Sequence, residues 1–229
     1  MVRKSLSEQA YELIKADIIT CALKPGVQIA QPILVERYKI GTTPIREAMQ
    51  RLSQEGFVTP IPRFGYTVTP ITFADVREIY ELRSILESAA ARLAAQRGNQ
   101  HDLDQLLEKA NFSYVYGERN SYTRFLDENA QFHRRIAEIS GNQRLVDTIS
   151  TVLDGLTRIF YLGLDLKDSA EEMRDSHIAL ANALKERDAD QAERLVRDEV
   201  DVSRKRVLLA LTRQLHDGFS PDLGNSLQI

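Results

Sequence analysis

Four polar side chains in the second half of the chain have the types and spacing of metal ligands. Asn129 and His133 are four residues apart, so a helix would place both on one face. His177 and Glu199 follow in two further segments with helical periodicity. Side chains from facing helices often build metal sites in bundles, and this set suits Zn²⁺, Ni²⁺, Fe²⁺ or Mn²⁺. The alternative is that the histidines are unrelated and that Glu199 pairs with a protonated histidine or an arginine.

Enzyme motifs are missing from the sequence. There is no His-Glu-x-x-His, no P-loop, no glycine-rich dinucleotide fingerprint and no nucleophile elbow. No general base stands beside the histidines in the sequence. A metalloenzyme is therefore disfavoured, and we expect no organic cofactor.

A second group of polar side chains suits contact with DNA. Thr43-Pro44 predicts the start of a helix, with Thr43 as the N-cap residue and Pro44 at the first position. Its first turn carries Thr42, Thr43 and Arg46, with Gln50 one turn further on. An arginine there can contact guanine or clamp a phosphate. The alternative is that Arg46 pairs with Glu47 or Glu55 on a solvated face.

Three more residues extend this candidate DNA surface. Arg51 lies off the apolar stripe of the same helix and is a candidate phosphate contact. Arg63 lies in a predicted hairpin turn, where it can enter the minor groove or touch the backbone. Gly65 follows, and the lack of a side chain would let the hairpin approach DNA closely.

The elements that must position these residues form a winged helix-turn-helix. A capping box, Ser5-Leu-Ser-Glu8, opens a first helix, and Pro32 to Tyr38 forms a short second one. The third helix begins at Thr43 and is closed by Gly56. The β-branched and aromatic stretch 57–69 contains two prolines, so it must be an edge strand or hairpin. Three helices and a β-hairpin make a winged helix in residues 1–70.

The rest of the chain, residues 71–229, shows only helical periodicity. A capping box at Thr72 and Asp75 opens a long helix that Gly98 ends. Five further helices are predicted at 101–116, 121–140, 144–164, 169–186 and 188–215. The protein is therefore mainly α, with the winged helix followed by an all-α antiparallel bundle of six to seven helices.

Composition and charge fit this division. The chain of 229 residues has 43% apolar residues and a net charge of −3, which divides into +3 for residues 1–70 and −6 for the remainder. A basic module joined to an acidic one is typical of a nucleic-acid-binding unit fused to a partner unit. A single cysteine, Cys21, excludes an internal disulfide framework. No export signal or membrane-length apolar run is visible, so we expect a cytoplasmic protein without membrane contact, at the nucleoid when it binds DNA.

Specific motifs resemble those of the GntR family of bacterial regulators. The stretch Thr43-Pro-Ile-Arg-Glu-Ala-Met49, followed by Arg51-Leu52, Glu55-Gly-Phe-Val58 and the Gly65 turn, is similar to the family's DNA-binding signature. Two departures stand out: Gly41-Thr42 replaces the frequent Ser-Arg, and Phe64 interrupts the Arg-Gly of the wing. We therefore expect an operator that differs from the usual one.

The second half resembles the FCD effector domain found on one branch of that family. The resemblance rests on Tyr80-Glu-Leu-Arg83, Glu87, Phe132-His133, Ser140-Gly-Asn142 and His177. It implies that Asn129, His133 and His177 are metal ligands and that Glu199 stands where the family has a third histidine. At the position of Asn129 many family members have an aspartate ligand. Here Asn129 is neutral and Glu199 supplies the carboxylate, so the set still contains one carboxylate at a different position. A degenerate, metal-free site remains the alternative.

The resemblance also implies an effector and its contacts. Arg83 would line the effector cavity, and its guanidinium suits a small organic acid because it can bind a carboxylate in two places. Arg134, Arg158 and Tyr161 are further candidates for the cavity. The alternative for Arg83 is an intrahelical pair with Glu87, four residues on.

Together these features predict a ligand-responsive transcriptional regulator, most simply a repressor of a metabolic operon. A homodimer on a palindromic double-stranded operator is expected, because one winged helix contacts too few phosphates for tight binding. An adaptor that uses the bundle only for protein contacts is the competing hypothesis. DNA binding separates the two.

Overall fold

The computed structural model describes residues 4–164 and 166–218, with the side chains of 214–218 left aside. Within these residues nine helices and three short strands form two hydrophobic cores. The fold is mainly helical, with the small sheet confined to the N-terminal part, as the sequence predicts. None of the described helices combines the length and apolarity that a membrane span requires.

The N-terminal core is built by three helices: α1 (Leu6–Ile19), α2 (Gln31–Tyr38) and α3 (Thr42–Gln54). The Ser5 hydroxyl caps α1 by accepting a hydrogen bond from the Glu8 amide. In α3 the apolar stripe is fully buried at Ile45, Ala48, Met49 and Leu52. This burial leaves the opposite face of α3 in solvent.

The start of α3 differs from the prediction. Thr43 was expected to be its N-cap residue, but the helix begins at Thr42 and Gly41 occupies the N-cap position. No side chain caps the helix. Pro44 consequently lies in the first turn, where a missing amide proton costs nothing.

A three-stranded antiparallel sheet completes the winged helix. Its order is β1 (Gln28–Ile29), β3 (Gly65–Val68), β2 (Val58–Ile61). Tyr66 of the central strand β3 pairs with Pro60 of β2 on one side and with Ile29 of β1 on the other. Pro60 therefore lies in an edge strand, as expected. The two-residue β1 is too short to show a period in the sequence, which is why it was not predicted.

The C-terminal domain consists of α4 (Phe73–Arg97), α5 (Gln100–Glu108), α6 (Arg119–Ile139), α7 (Gln143–Leu164), α8 (Ala170–Lys185) and α9 (Ala189–Gly218). The predicted capping box is present, since the Thr72 hydroxyl accepts from the Asp75 amide and the Asp75 carboxylate accepts from the Thr72 amide. The long helices α4 and α9 pack along each other, and the other helices surround them. Buried side chains from several helices can thus converge on one point.

The predicted helix 101–116 is wrong in its second half. The helix α5 ends at Glu108, and the chain then runs without regular structure to α6, which begins at Arg119. Along this segment Ala110, Phe112 and Tyr114 are buried while their neighbours are more exposed. Such alternation belongs to an extended chain. It lays Phe112 against the ring of His177, with 4.5 Å between the ring centroids.

The two parts of the chain touch through a few residues near the domain junction. Cys21 belongs to the core of the helical domain, and its Sγ lies 3.6 Å from the Arg158 carbonyl. The Arg158 guanidinium donates to the carbonyl of Thr69, and Arg119 donates to that of Thr20 at 2.9 Å. These bonds attach the ends of the winged helix to α6 and α7.

Candidate metal centre and nucleic-acid interface

Three predicted metal ligands meet in the centre of the helical domain. His133 on α6, His177 on α8 and Glu199 on α9 each offer a ligand atom, and these atoms all lie within 4.8 Å of one another. The Glu199 Oε1 atom is central, at 3.1 Å from His133 Nε2 and 3.6 Å from His177 Nε2. Both imidazoles are buried. Residues separated by up to 66 positions therefore form one cluster, which we call the His–Glu cluster.

A layer of charged side chains supports the cluster from α4. The Glu87 Oε2 atom lies 2.9 Å from His133 Nδ1, and the Glu87 Oε1 atom accepts from Arg83 Nε at 2.6 Å. Arg83 Nη2 also lies 3.4 Å from Glu199 Oε1. A carboxylate on the far nitrogen of a ligating histidine is the usual way to orient the ring toward a metal.

Several polar atoms of the His–Glu cluster lack hydrogen bonds although they are buried. They are His133 Nε2, both ring nitrogens of His177, and Glu199 Oε2. Buried polar atoms are almost always paired, and leaving one unpaired costs about 1–3 kcal/mol. Converging nitrogens and a carboxylate oxygen without partners have the donor chemistry that a divalent cation requires, so the residues fit a metal.

Protonation of the cluster follows from burial and its close charges. Burial alone would lower the pKa of His133, but the carboxylates of Glu199 and Glu87 outweigh it and raise that pKa to about 9. Burial lowers the pKa of His177. Although burial opposes it, His133 and His177 hold the pKa of Glu199 well below its usual range. Without a cation, a protonated His133 lies between the two carboxylates, with Nδ1 toward Glu87 and Nε2 toward Glu199. A metal ion would replace the proton on Nε2.

A cavity of about 100 Å³ opens beside the cluster. Its walls include Arg83, Asn129, His177 and Glu199, all of them predicted site residues. Arg83 also pairs with Glu87, so its predicted cavity position and the alternative helical pair are both present. Phe160 lines the cavity too, and its ring centroid is 5.2 Å from the Arg83 guanidinium carbon.

Three further predicted effector contacts lie outside the lining of this cavity. Arg134 is bound to Asp154 at the surface, Arg158 reaches the Thr69 carbonyl, and the Tyr161 hydroxyl bonds that of Thr123. Each stands on the correct helix but in the wrong phase, because successive residues differ by about 100° around a helix.

Further cavity residues lie on α9 that were not predicted from the sequence, among them Ser203 and Arg206. Their spacing from Glu199 is four and seven residues, so all three share one face of the helix. This pattern was visible in the sequence. The basic run Arg204-Lys205-Arg206 nevertheless resembles a solvated surface, which hides the buried position of Arg206.

The predicted DNA-contacting residues of α3 are all on its exposed face. The side chains of Thr42, Thr43, Arg46 and Gln50 are exposed, whereas the apolar stripe on the other face of the helix is buried. Glu47 instead accepts from the Ser7 hydroxyl, and Glu55 binds Lys15. In the described part of the chain Arg46 has no ion pair, so the alternative pairing with those two glutamates is not observed.

The other candidate DNA residues differ from each other. Arg63 is exposed at the hairpin tip with a φ of 69°, next to Phe64, which is 72% exposed. Gly65 has a φ of 109°, and a Cβ there would lie 2.4 Å from the Ile29 carbonyl oxygen, so close packing of the hairpin requires glycine. Arg51 is engaged within the domain: it binds Glu8 and Glu55 and stacks on Tyr11, 3.6 Å from the ring centroid.

A winged helix followed by an all-α domain is the architecture of a class of DNA-binding transcriptional regulators, and here that domain holds the His–Glu cluster. Sequence comparison agrees. The sequence model described as "Bacterial regulatory proteins, gntR family" matches residues 6–68, and that of the FCD domain matches residues 78–201. The chain belongs to the GntR family of transcriptional regulators and carries an FCD domain. Members of this family are DNA-binding regulators and not enzymes.

Individual relatives support the same assignment. The "HTH-type transcriptional repressor RspR" of Escherichia coli (strain K12) is 28% identical over 189 residues, which is 82% of this chain and 83% of the relative. The "Nta operon transcriptional regulator" of Aminobacter aminovorans is 28% identical over 177 residues, covering 76% of this chain and 80% of the relative. Among solved structures, "E. coli McbR/YncC" shares the fold with a TM-score of 0.64 at 23% identity, covering 93% of this chain and all of that one.

Proposed function

We propose that this regulator is a repressor that binds a palindromic operator as a homodimer and responds to a small organic acid beside a divalent metal. The observation that carries the proposal is the combination of an exposed recognition helix with a buried cluster in which two imidazoles and one carboxylate converge. The recognition helix is suited to contact DNA, and the cluster is suited to bind a metal ion and an effector. The fold joins both in one chain.

The proposed DNA contact is argued from the exposed face of α3. Thr42, Thr43 and Arg46 occupy its first turn, where helix N-termini meet base edges in the major groove. The uncapped amides of this turn suit a phosphate. Gln50 extends the surface by one turn, and Arg63 would reach the minor groove or backbone from the hairpin. Arg51 would contact a phosphate only by leaving its ion pairs with Glu8 and Glu55.

The proposed metal site consists of His133, His177 and Glu199, with Asn129 as a fourth ligand. Asn129 is buried one turn before His133 and lines the same cavity. A bound cation would have an open coordination site, and an oxygen atom of an effector could occupy it. The chain's own residues hold the ligands in place: Glu87 orients His133, and Phe112 stacks on His177.

The DNA proposal is tested by replacing Arg46 with alanine. Fluorescence anisotropy on a duplex from upstream of the chain's own gene measures operator affinity. We expect operator affinity to fall by about 1–3 kcal/mol, roughly tenfold to hundredfold. The reason is that Arg46 forms no ion pair with the described residues, so its guanidinium is available to the DNA. Arg77→Ala, an exposed arginine of α4, is the control and should bind like the wild type. Unchanged affinity for Arg46→Ala in a folded dimer would contradict the proposal.

The metal proposal is tested by elemental analysis of purified protein. The double variant His133→Ala, His177→Ala should lose the metal that the wild type carries, because two of its strongest ligands are gone. His101→Ala is the matched control, since His101 is exposed and bonds only Gln105 among the described residues. Equal metal content in the wild type and the double variant would favour the metal-free alternative.

A further inference from the structure

Arg206 is a buried cation without a matching anion. Its side chain lines the cavity from α9, and the residue is only 7% exposed. Every other buried arginine of the cavity wall is neutralised: Arg83 binds the carboxylates of both Glu87 and Glu199. Among the described residues no carboxylate forms an ion pair with Arg206, although pairs are formed by its neighbours Arg204 and Lys205 with Asp201.

The hydrogen bonds of Arg206 are equally incomplete. Within the described part of the chain its Nε atom has no hydrogen-bond partner, and Nη1 donates only to the thioether sulfur of Met173 at 3.2 Å. A thioether is a weak acceptor. A guanidinium has five donors in a planar fork, and burying it without an anion is costly. The fold therefore holds a buried positive charge without a counter-ion at the wall of the cavity.

The aliphatic stem of Arg206 packs against α7. Gly163 on α7 faces the stem of Arg206, and a Cβ at that glycine would lie 3.6 Å from Arg206 Cδ and 3.2 Å from Val207 Cγ2. Ser203, one turn before Arg206, has its hydroxyl 2.9 Å from that of Tyr80. The side chain is thus held beside the cavity by packing and not by an ion pair.

We infer that Arg206 is the anchor for a carboxylate of the effector, and that the effector is a small acid with a second oxygen donor facing the His–Glu cluster. Arg206 lines the same cavity as His177 and Glu199 of the cluster, so one molecule can contact all three. A carboxylate would accept two parallel hydrogen bonds from the free edge of the guanidinium. The acidic side chains that also line the cavity, Glu172 and Asp198, are exposed, so water screens their charges.

The size of the cavity restricts the acid. About 100 Å³ holds several water molecules, because one water needs about 10–15 Å³ on this measure. A short dicarboxylate or hydroxy acid is of this size, and a large aromatic or acyl chain is not. This inference rests on the proposed sensor function and specifies its ligand class and one of its contacts.

The test is calorimetric titration of purified, zinc-loaded protein with malonate, succinate and malate, and with neutral malonamide as the probe that lacks carboxylates. Wild type should bind at least one of the acids and not malonamide. Arg206→Met keeps the length of the stem without charge, and it should bind the same acid at least about tenfold more weakly. Arg204→Met, on the exposed side of the same helix, should bind like the wild type.

Stability in the absence of acid separates a binding role from a structural one. If Arg206 serves the ligand, Arg206→Met should melt at the same temperature as the wild type or higher, because a buried unpaired charge is removed. If it melts lower, Arg206→Lys decides: acid affinity regained with the charge supports the anchor, and affinity that stays weak overturns it. Equal affinity of wild type and Arg206→Met, or no binding of any acid to the wild type, also overturns it.

Failure of this inference is distinguishable from failure of the proposed function. Operator binding and zinc content are measured on the same wild-type samples. If both are present but Arg206→Met binds acid normally, only the anchor is wrong. If the wild type lacks operator binding or zinc, the sensor proposal itself fails.

Discussion

At the scale of single residues, the strongest argument concerns Glu87, which touches the cluster without belonging to it. Its carboxylate binds both His133 Nδ1 and Arg83 Nε, and it is buried. The charge of Arg83 offsets the burial penalty, so the pKa of Glu87 is held below its usual range even though burial opposes this. An ionised Glu87 fixes which nitrogen of His133 carries the proton and leaves Nε2 free for a metal.

Glu87→Gln is therefore expected to weaken metal binding without removing a ligand. The loss should be about 10–100-fold in affinity, the range typical of a partner that orients a ligating histidine. Competition of the protein with a chromogenic zinc chelator measures it. Glu81→Gln, an exposed glutamate on the same helix, is the control. Undiminished zinc affinity in Glu87→Gln would show that Glu87 serves only to neutralise Arg83.

At the scale of elements, the sequence was informative wherever a period or a cap repeats along the chain. The apolar stripe of α3 and the capping box at Thr72 were predicted and are present. The errors arose where long-range packing decides. Phe112 is extended because its ring covers His177. Arg134 and Arg158 lie outside the cavity lining, to which Asn129 and Phe160 of the same helices contribute. No local pattern specifies such a phase.

The candidate site shows the same division. The composition of the His–Glu cluster was predictable because Asn129 and His133 are one turn apart and a known family pattern placed His177 and Glu199 beside them. The missing charge partner of Arg206 was not predictable, since the absence of an ion pair is a property of packing. Glu87 was expected as a partner of Arg83, and its second contact with His133 depends on how α4 meets α6.

The wing offers a prediction about an element, because Gly65 combines two separate demands. Its φ of 109° is unfavourable for other residues, and a Cβ would clash with the Ile29 carbonyl of β1. We expect Gly65→Ala to melt several degrees lower, from strain of about 1–3 kcal/mol plus the clash, and to lose operator affinity. Circular dichroism melting and operator anisotropy measure these effects.

Gly26→Ala is the matched control for this prediction. Gly26 also has a positive φ, 81°, but a Cβ there would meet nothing within 4 Å. It should therefore show only the conformational penalty, about 1 kcal/mol. If both variants melted at the same temperature, the close contact between β1 and β3 would contribute nothing to the stability of the wing.

At the scale of the whole molecule, α7 connects the cavity to the winged helix. Phe160 lines the cavity, and two residues earlier Arg158 donates to the Thr69 carbonyl at the end of the winged helix. Arg158 is partly buried there, and burial lowers the pKa of its guanidinium. A change at the cavity wall can thus reach the domain junction through one rigid helix, which is the physical connection that coupling between sites requires.

Breaking this connection should separate the two domains thermally. Zinc binding stabilises the domain that holds it by mass action. In the wild type we expect differential scanning calorimetry to show that zinc raises the unfolding temperature of both domains together. In Arg158→Met, zinc should stabilise the helical domain while the winged helix unfolds at a temperature that no longer depends on zinc.

The control for this prediction is Arg144→Met, an exposed arginine on the same helix, which should behave like the wild type. Operator affinity of Arg158→Met should remain within about threefold of the wild type, since none of the α3 side chains proposed to contact DNA is altered. If zinc still raised the unfolding temperature of the winged helix in Arg158→Met, coupling would run through the Arg119–Thr20 bond or the buried Cys21 instead. The same scan on Arg119→Met would then identify which contact transmits it.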